Sequence, residues 1–199
     1  MLVDHNKRVV SISVPKTGST SLHYALMSAL KLKFETNGKD PVVYHLSAAD
    51  IRIIMGPRKF DGYFSFGVTR NPYDRMVSLY HDFHNQRGRI KQDTFEEFVL
   101  EAFLKNWTGN VHFRPQTFFL HSSEGQVTKE AFKFEDGLDA IMERLIEELE
   151  LEDASVGHAR KSERSAWQQY YSNPEVVKIV SDFYAADFKN FGYSTEISS

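Results

Sequence analysis

The chain has 199 residues, 41% of them hydrophobic and 26% charged, enough for a substantial core and ordinary for a soluble globular protein. With 24 basic against 27 acidic side chains the net charge is −3, which speaks against nucleic acid as a partner and requires any anion to be bound at a local site. Cysteine is absent, which excludes disulfides and thiolate metal sites, and no stretch approaches the roughly 18 consecutive apolar residues of a membrane span. The expectation is one soluble, cytoplasmic domain over 1–199.

The first structured stretch runs from Val9 to Leu30. β-leaning residues lead into Pro15-Lys16-Thr17-Gly18-Ser19-Thr20-Ser21, and a helical apolar period then begins at Leu22, Ala25, Leu26, Ala29 and Leu30. This is a strand, a tight polar turn and a helix N-terminus. The next segment, from Lys31 to Asp40, is a polar connection with an Asn-Gly turn signal, and Pro41-Val42-Val43-Tyr44 is expected as a short strand ending at His45. Ser47 then caps a short helix, with Asp50 placed for a capping box and Gly56-Pro57 closing it.

Tyr63 to Thr69 is dense in aromatic and β-branched residues and reads as a buried strand. It ends at Arg70-Asn71-Pro72, where Pro suits the first position of a helix with Met76, Leu79, Tyr80 and Phe83 on one face. Strand-to-helix units in this order imply an α/β fold with a parallel sheet flanked by helices and ligands at the carboxyl ends of the strands. Further on, Phe95, Phe98, Val99, Ala102 and Phe103 mark an amphipathic helix, and 107–121 is irregular and aromatic. A strand is expected within 127–134, a helix at Leu138, Ile141, Met142, Leu145 and Leu149, and an acidic loop from Glu150 to Gly157. One closing helix begins at Pro174, carries Val177, Val180, Tyr184, Phe188 and Phe191, and stops at Gly192.

The turn after the first strand carries the chemistry. The first N–H groups of a helix lack intrahelical partners and the macrodipole makes that end positive, so it attracts an anion. Gly18 is expected to let the backbone approach such a ligand, Ser19, Thr20 and Ser21 supply hydroxyls, and Lys16 adds a point charge. This is no Walker A loop, because Lys16 precedes Gly18 instead of following it. A second anion signal is Arg70, at the end of a buried strand, with Ser78 about two helical turns later. Pairing of Arg70 with Asp74 is the competing explanation.

Taken together, PKTGSTSL and VTRNPYDRMVSLYH resemble the sulfotransferases that use 3′-phosphoadenosine 5′-phosphosulfate (PAPS), most closely their carbohydrate-type and bacterial branch. The terminal stretch YYSNPEVVKIVSDFYAADFKNFGY is similar to the last helix of that branch. The resemblance implies a P-loop-like, three-layer α/β/α fold. It implies that Lys16, Thr17, Gly18, Ser19, Thr20 and Ser21 bind the 5′-phosphosulfate and that Arg70 and Ser78 bind the 3′-phosphate.

Transfer to an alcohol needs a group that removes the hydroxyl proton, and His is best matched to that near neutral pH. His45, after a strand and before a helix, falls on the sheet edge of the anion sites, and it matches where glycosaminoglycan-type members carry their base. Lys16 is expected to stabilise charge on the bridging oxygen as well. No metal is expected, and no Walker B-like acid is evident. His112-Phe113-Arg114-Pro115-Gln116 resembles an acceptor-site segment of carbohydrate sulfotransferases, which makes His112, Arg114 and Gln116 acceptor contacts, with a carbohydrate the expected partner. Phe134-Glu135 resembles the family's strand end with a buried structural Glu, and Arg160, Lys161 and Ser162 are placed over the 3′-phosphate. The alternatives are a P-loop nucleotide or sugar kinase, disfavoured by the Lys-before-Gly order, and a non-catalytic domain that binds PAPS or sulfated glycans.

Overall fold

The computed structural model describes residues 1–32, 45–86, 92–152 and 165–197. The expected strand at 41–44, the polar connection before it, most of the acidic loop, and Arg160, Lys161 and Ser162 lie outside the described residues. The chain divides into two compact units, Met1–Thr69 with Phe118–Lys161 and Arg70–Thr117 with Ser162–Ser199.

The first unit is α/β. Its strand β1 (Leu2–Asp4) turns back into β2 (Val9–Ile12), with Asp4 Oδ1 accepting the Lys7 N–H at 2.6 Å in the turn. After the loop comes α1 (Ser19–Ala29). Next is α2 (Ala48–Met55), where Ser47 and Asp50 form the expected capping box. Gly56 ends α2, and a further short helix, α3 (Pro57–Asp61), starts at Pro57, whose fixed φ suits a first helical position. Strand β3 (Phe64–Thr69) completes the first run of this unit.

The second unit opens with α4 (Pro72–His81), started by Pro72 and by Asn71, whose Oδ1 accepts the Tyr73 N–H at 3.0 Å. A π-helical turn, Asp82–Gln86, continues it. Then come α5 (Phe95–Leu104), capped by Thr94 and Glu97, and α6 (Gln116–Leu120), a short helix inside the segment expected to be irregular. The chain returns to the first unit at Phe118 and forms a two-residue hairpin, β4 (His121–Ser122) and β5 (Gly125–Gln126), then β6 (Glu130–Lys133) and α7 (Leu138–Leu149). The last helices, α8 (Pro174–Phe183) and α9 (Ala185–Phe191), belong to the second unit.

The main sheet has the order β1-β2-β3-β6. β2, β3 and β6 run parallel, with Val9 opposite Phe64 and Phe66 opposite Glu130, as the strand-to-helix units require. β1 pairs antiparallel to β2, with Leu2 opposite Ser11. The sheet is therefore mixed where a parallel one was expected. The reason is local: β1 is three residues long, too short to show a period, and it is recruited as an edge through a tight turn.

Leu22, Leu26, Ile141, Met142 and Leu145 of α1 and α7 pack with Val9, Phe66 and Val68 on one face of that sheet. Each such side chain contributes roughly 1.5–3 kcal/mol by leaving water. The core of the second unit joins Tyr73, Met76, Val77 and Tyr80 of α4 to Phe98 and Val99 of α5 and to Val176, Val180 and Phe188. Inside it the Arg75 side chain, only 2% exposed, donates through Nη2 to the His112 and Arg114 carbonyls at 3.0 and 2.9 Å, with its guanidinium 5.5 Å from the Tyr184 ring centre. The single closing helix expected from Pro174 is broken at Tyr184, where the backbone leaves helical geometry (φ −102°, ψ 21°) and the hydroxyl donates to the Phe113 carbonyl at 2.7 Å. Gly192 ends α9 in the left-handed conformation, as expected. Among the described residues no helix is long and apolar enough to cross a membrane.

Candidate functional site

In the first unit the loop between β2 and α1 is built by its own hydroxyls. Thr17 Oγ1 and Ser19 Oγ both donate to the Val14 carbonyl, at 3.0 and 2.9 Å, and both side chains are buried. Thr17 and Ser19 are thus spent on closing the turn, and what they offer an anion is their backbone N–H. Thr20 is exposed, and Lys16 and Ser21 are half-buried.

Gly18 caps α1 in the left-handed conformation at φ 76°. Helix α1 has no side-chain cap and no acidic residue in its first turn, and its first intrahelical bond runs from Leu22 N to Gly18 O. The N–H groups of Ser19, Thr20 and Ser21 precede that bond, so the positive end of the helix has no carboxylate in its own first turn. Such a donor set suits a phosphate or sulfate. Lys16 is itself left-handed at φ 67°, an uncommon conformation for a residue with a Cβ. Gly18 has a packing role besides the one expected. A Cβ on it would meet the Phe134 ring and Leu138, so glycine allows close packing under the loop.

His45 is brought to this loop. Its Nδ1 lies 2.8 Å from the Ser13 carbonyl oxygen, and its ring meets Phe119 edge-on at 6.4 Å between centres. A carbonyl only accepts, so Nδ1 carries the proton in this contact. Beneath the loop lies His23, which the sequence reading did not single out. It is fully buried on α1, its Nε2 is 2.7 Å from Ser11 Oγ, and its Nδ1 has no hydrogen-bond partner among the described residues. Burial, then the positive amino group at Met1 and His45, pull its pKa down to about 3, so the ring is neutral. Its position one helical turn after Ser19 was the available signal. Glu135, expected to be buried, is exposed on a 3₁₀ turn, and its neighbour Phe134 makes the contact with the loop instead.

The second unit holds the other expected group. Arg70, 7% exposed, bonds through Nε to Asp74 Oδ2 at 2.7 Å, so the competing pair is present and fixes the guanidinium plane. Ser78 is half-buried on α4. Gln116 is wholly buried: its Oε1 accepts the Arg70 N–H and its Nε2 donates to the Arg70 carbonyl, both at 2.8 Å. His112 and Arg114 supply their carbonyls to Arg75; the Arg114 side chain is exposed, and the His112 ring meets Phe83 edge-on at 5.8 Å. Asp187, also missed, is buried and accepts from Gln116 N and Thr117 N at 2.7 and 2.8 Å. A carboxylate on the apolar stripe of Tyr184, Phe188 and Phe191 was its signal.

The model of the sulfotransferase family matches residues 1–194 of the chain. The chain belongs to that family. Membership gives this sulfotransferase the activity class of sulfuryl transfer, with a sulfuryl donor and a hydroxyl-bearing acceptor. No curated protein and no solved structure matches it.

Proposed function

We propose that this sulfotransferase uses PAPS as donor and a carbohydrate hydroxyl as acceptor, working as one domain over 1–199 in the cytoplasm. The observation that supports the reading is the 2.8 Å contact of His45 Nδ1 with the Ser13 carbonyl in the loop that leads to α1, a helix start with no side-chain cap. The donor, when bound, supplies the sulfuryl group and a bisphosphate leaving group. The backbone N–H groups of Lys16 to Ser21, with the Thr20 and Ser21 hydroxyls, hold its 5′ end, and Arg70 and Ser78 hold its 3′-phosphate, with Arg160 and Lys161 as further contacts.

His45 Nε2 takes the proton of the acceptor hydroxyl while Nδ1–H stays on the Ser13 carbonyl, which keeps the ring oriented as it becomes positive. Lys16 Nζ supplies charge for the bridging oxygen, the electrostatic part of catalysis. On the acceptor side, the segment carrying His112, Arg114 and Gln116 supports a carbohydrate through its resemblance to the carbohydrate-type branch, with His112 and Arg114 as the side chains that reach it.

Calorimetric titration with 3′,5′-adenosine bisphosphate, with 5′-AMP and ATP as controls and no magnesium, tests the donor. Binding that depends on the 3′-phosphate, weakened by about 1.5–3 kcal/mol in Lys16→Ala and in Arg70→Ala, is expected. Preference for magnesium-ATP, or unchanged affinity in both variants, overturns it.

A further inference from the structure

Arg70 is held by its main chain in an unusual way. β3 ends at Thr69, yet the next N–H and C=O, those of Arg70, are both satisfied by one side chain, the Gln116 amide. Gln116 stands in for the rung that a neighbouring strand would supply, and it fixes both peptide planes flanking the Arg70 Cα. The amide is itself located by a buried carboxylate. Asp187 Oδ2 accepts the Gln116 N–H at 2.7 Å, and its Oδ1 accepts the Thr117 N–H at 2.8 Å and the Thr117 hydroxyl at 3.0 Å. Burying a charge at 0% exposure is costly unless it is well bonded, and here three donors converge on it. Meanwhile Asp74 orients the guanidinium through Nε.

We propose that Gln116 and Asp187 are positioning residues for the 3′-phosphate site: Asp187 on α9 pins the start of α6, and Gln116 pins the backbone of Arg70, so that the guanidinium meets the phosphate without first being ordered. The inference rests on the reading that Arg70 binds that phosphate. A bidentate contact depends on angle, and preorganising its donor removes an ordering cost from binding.

The test compares affinities for 3′,5′-adenosine bisphosphate and 5′-AMP in wild type, Gln116→Met, Asp187→Asn and Arg70→Ala, with circular dichroism and melting curves on each. Gln116→Met keeps the volume and removes both bonds to Arg70. Asp187→Asn keeps the shape, acts one step further away, and serves if Gln116→Met does not fold. The expected result is that the preference for the 3′-phosphorylated nucleotide falls about tenfold or more in both variants, while 5′-AMP affinity stays near wild type. A merely structural role would lower both affinities together and overturns the proposal. A wild-type preference that Arg70→Ala abolishes and both positioning variants keep overturns this inference alone. A wild type with no preference for the 3′-phosphate sinks the reading of Arg70 and this inference with it.

Discussion

Replacing Gly18 with alanine separates a glycine needed by the ligand from one needed by the fold. Gly18 sits at φ 76°, and the left-handed conformation costs a residue with a Cβ roughly 1–2 kcal/mol. The added Cβ would also stand 2.9 Å from Phe134 Cε2, 3.1 Å from Phe134 Cδ2 and 3.2 Å from Leu138 Cδ1. Relieving such overlap costs about 1–3 kcal/mol, because the neighbours leave their rotamer wells or the backbone shifts. The central expectation is a loss of about 3 kcal/mol, which for a chain of this length lowers Tm by roughly 6–12 °C.

The assay is thermal and urea denaturation of Gly18→Ala followed by circular dichroism, repeated in a Phe134→Ala background. There the two nearest atoms are gone, so the added cost falls toward the backbone part, about 1–2 kcal/mol. A Gly18→Ala protein that melts within about 1 °C of wild type yet loses nucleotide affinity would refute the packing argument and return the glycine to ligand approach.

His23 is predicted to make the fold acid-sensitive. Its pKa is held at about 3 against an ordinary 6.5, so the folded chain refuses a proton that the unfolded chain accepts. The stabilisation from the neutral ring is complete above pH 6.5 and is lost as pH falls toward 3, a loss of about 2 kcal/mol by pH 5. His23→Gln flattens the urea midpoint between pH 7 and 5, and an unchanged slope contradicts the assignment. His45→Ala lowers kcat by about 10²–10⁴ with nucleotide affinity kept; a variant of normal kcat would remove His45 as the base. In the second unit, Arg75→Met leaves the His112 and Arg114 carbonyls without their Nη2 donor. Each such loss costs about 1–3 kcal/mol in urea denaturation, and a variant as stable as wild type would contradict it.

Much of the scaffold follows from residues within a few positions of one another. The loop at 15–21 between a strand and α1, the Ser47/Asp50 capping box, Asn71-Pro72 at the head of α4, the stripe of α7 and the stop at Gly192 are all local signals, and each sits where its spacing placed it. Capping, dihedral preference and apolar period act over a turn or two, so sequence alone determines them. The donor set proposed for the loop is local for the same reason, since the N–H groups at the start of a helix belong to its own backbone.

Tertiary structure decided what depends on distant partners. Three residues of β1 become an edge strand only because β2 accepts them, and Tyr184 breaks the last helical stretch while reaching Phe113, 71 positions away. The tautomer of His45 depends on the Ser13 carbonyl, 32 positions earlier, and the backbone of Arg70 depends on Gln116, 46 positions later. Glycine at position 18 is set by the Phe134 ring beneath it. Residue types and local spacing choose the elements; a hydrogen bond or contact between them exists only once packing has brought both groups out of water to the same place, and no period in the sequence encodes that meeting.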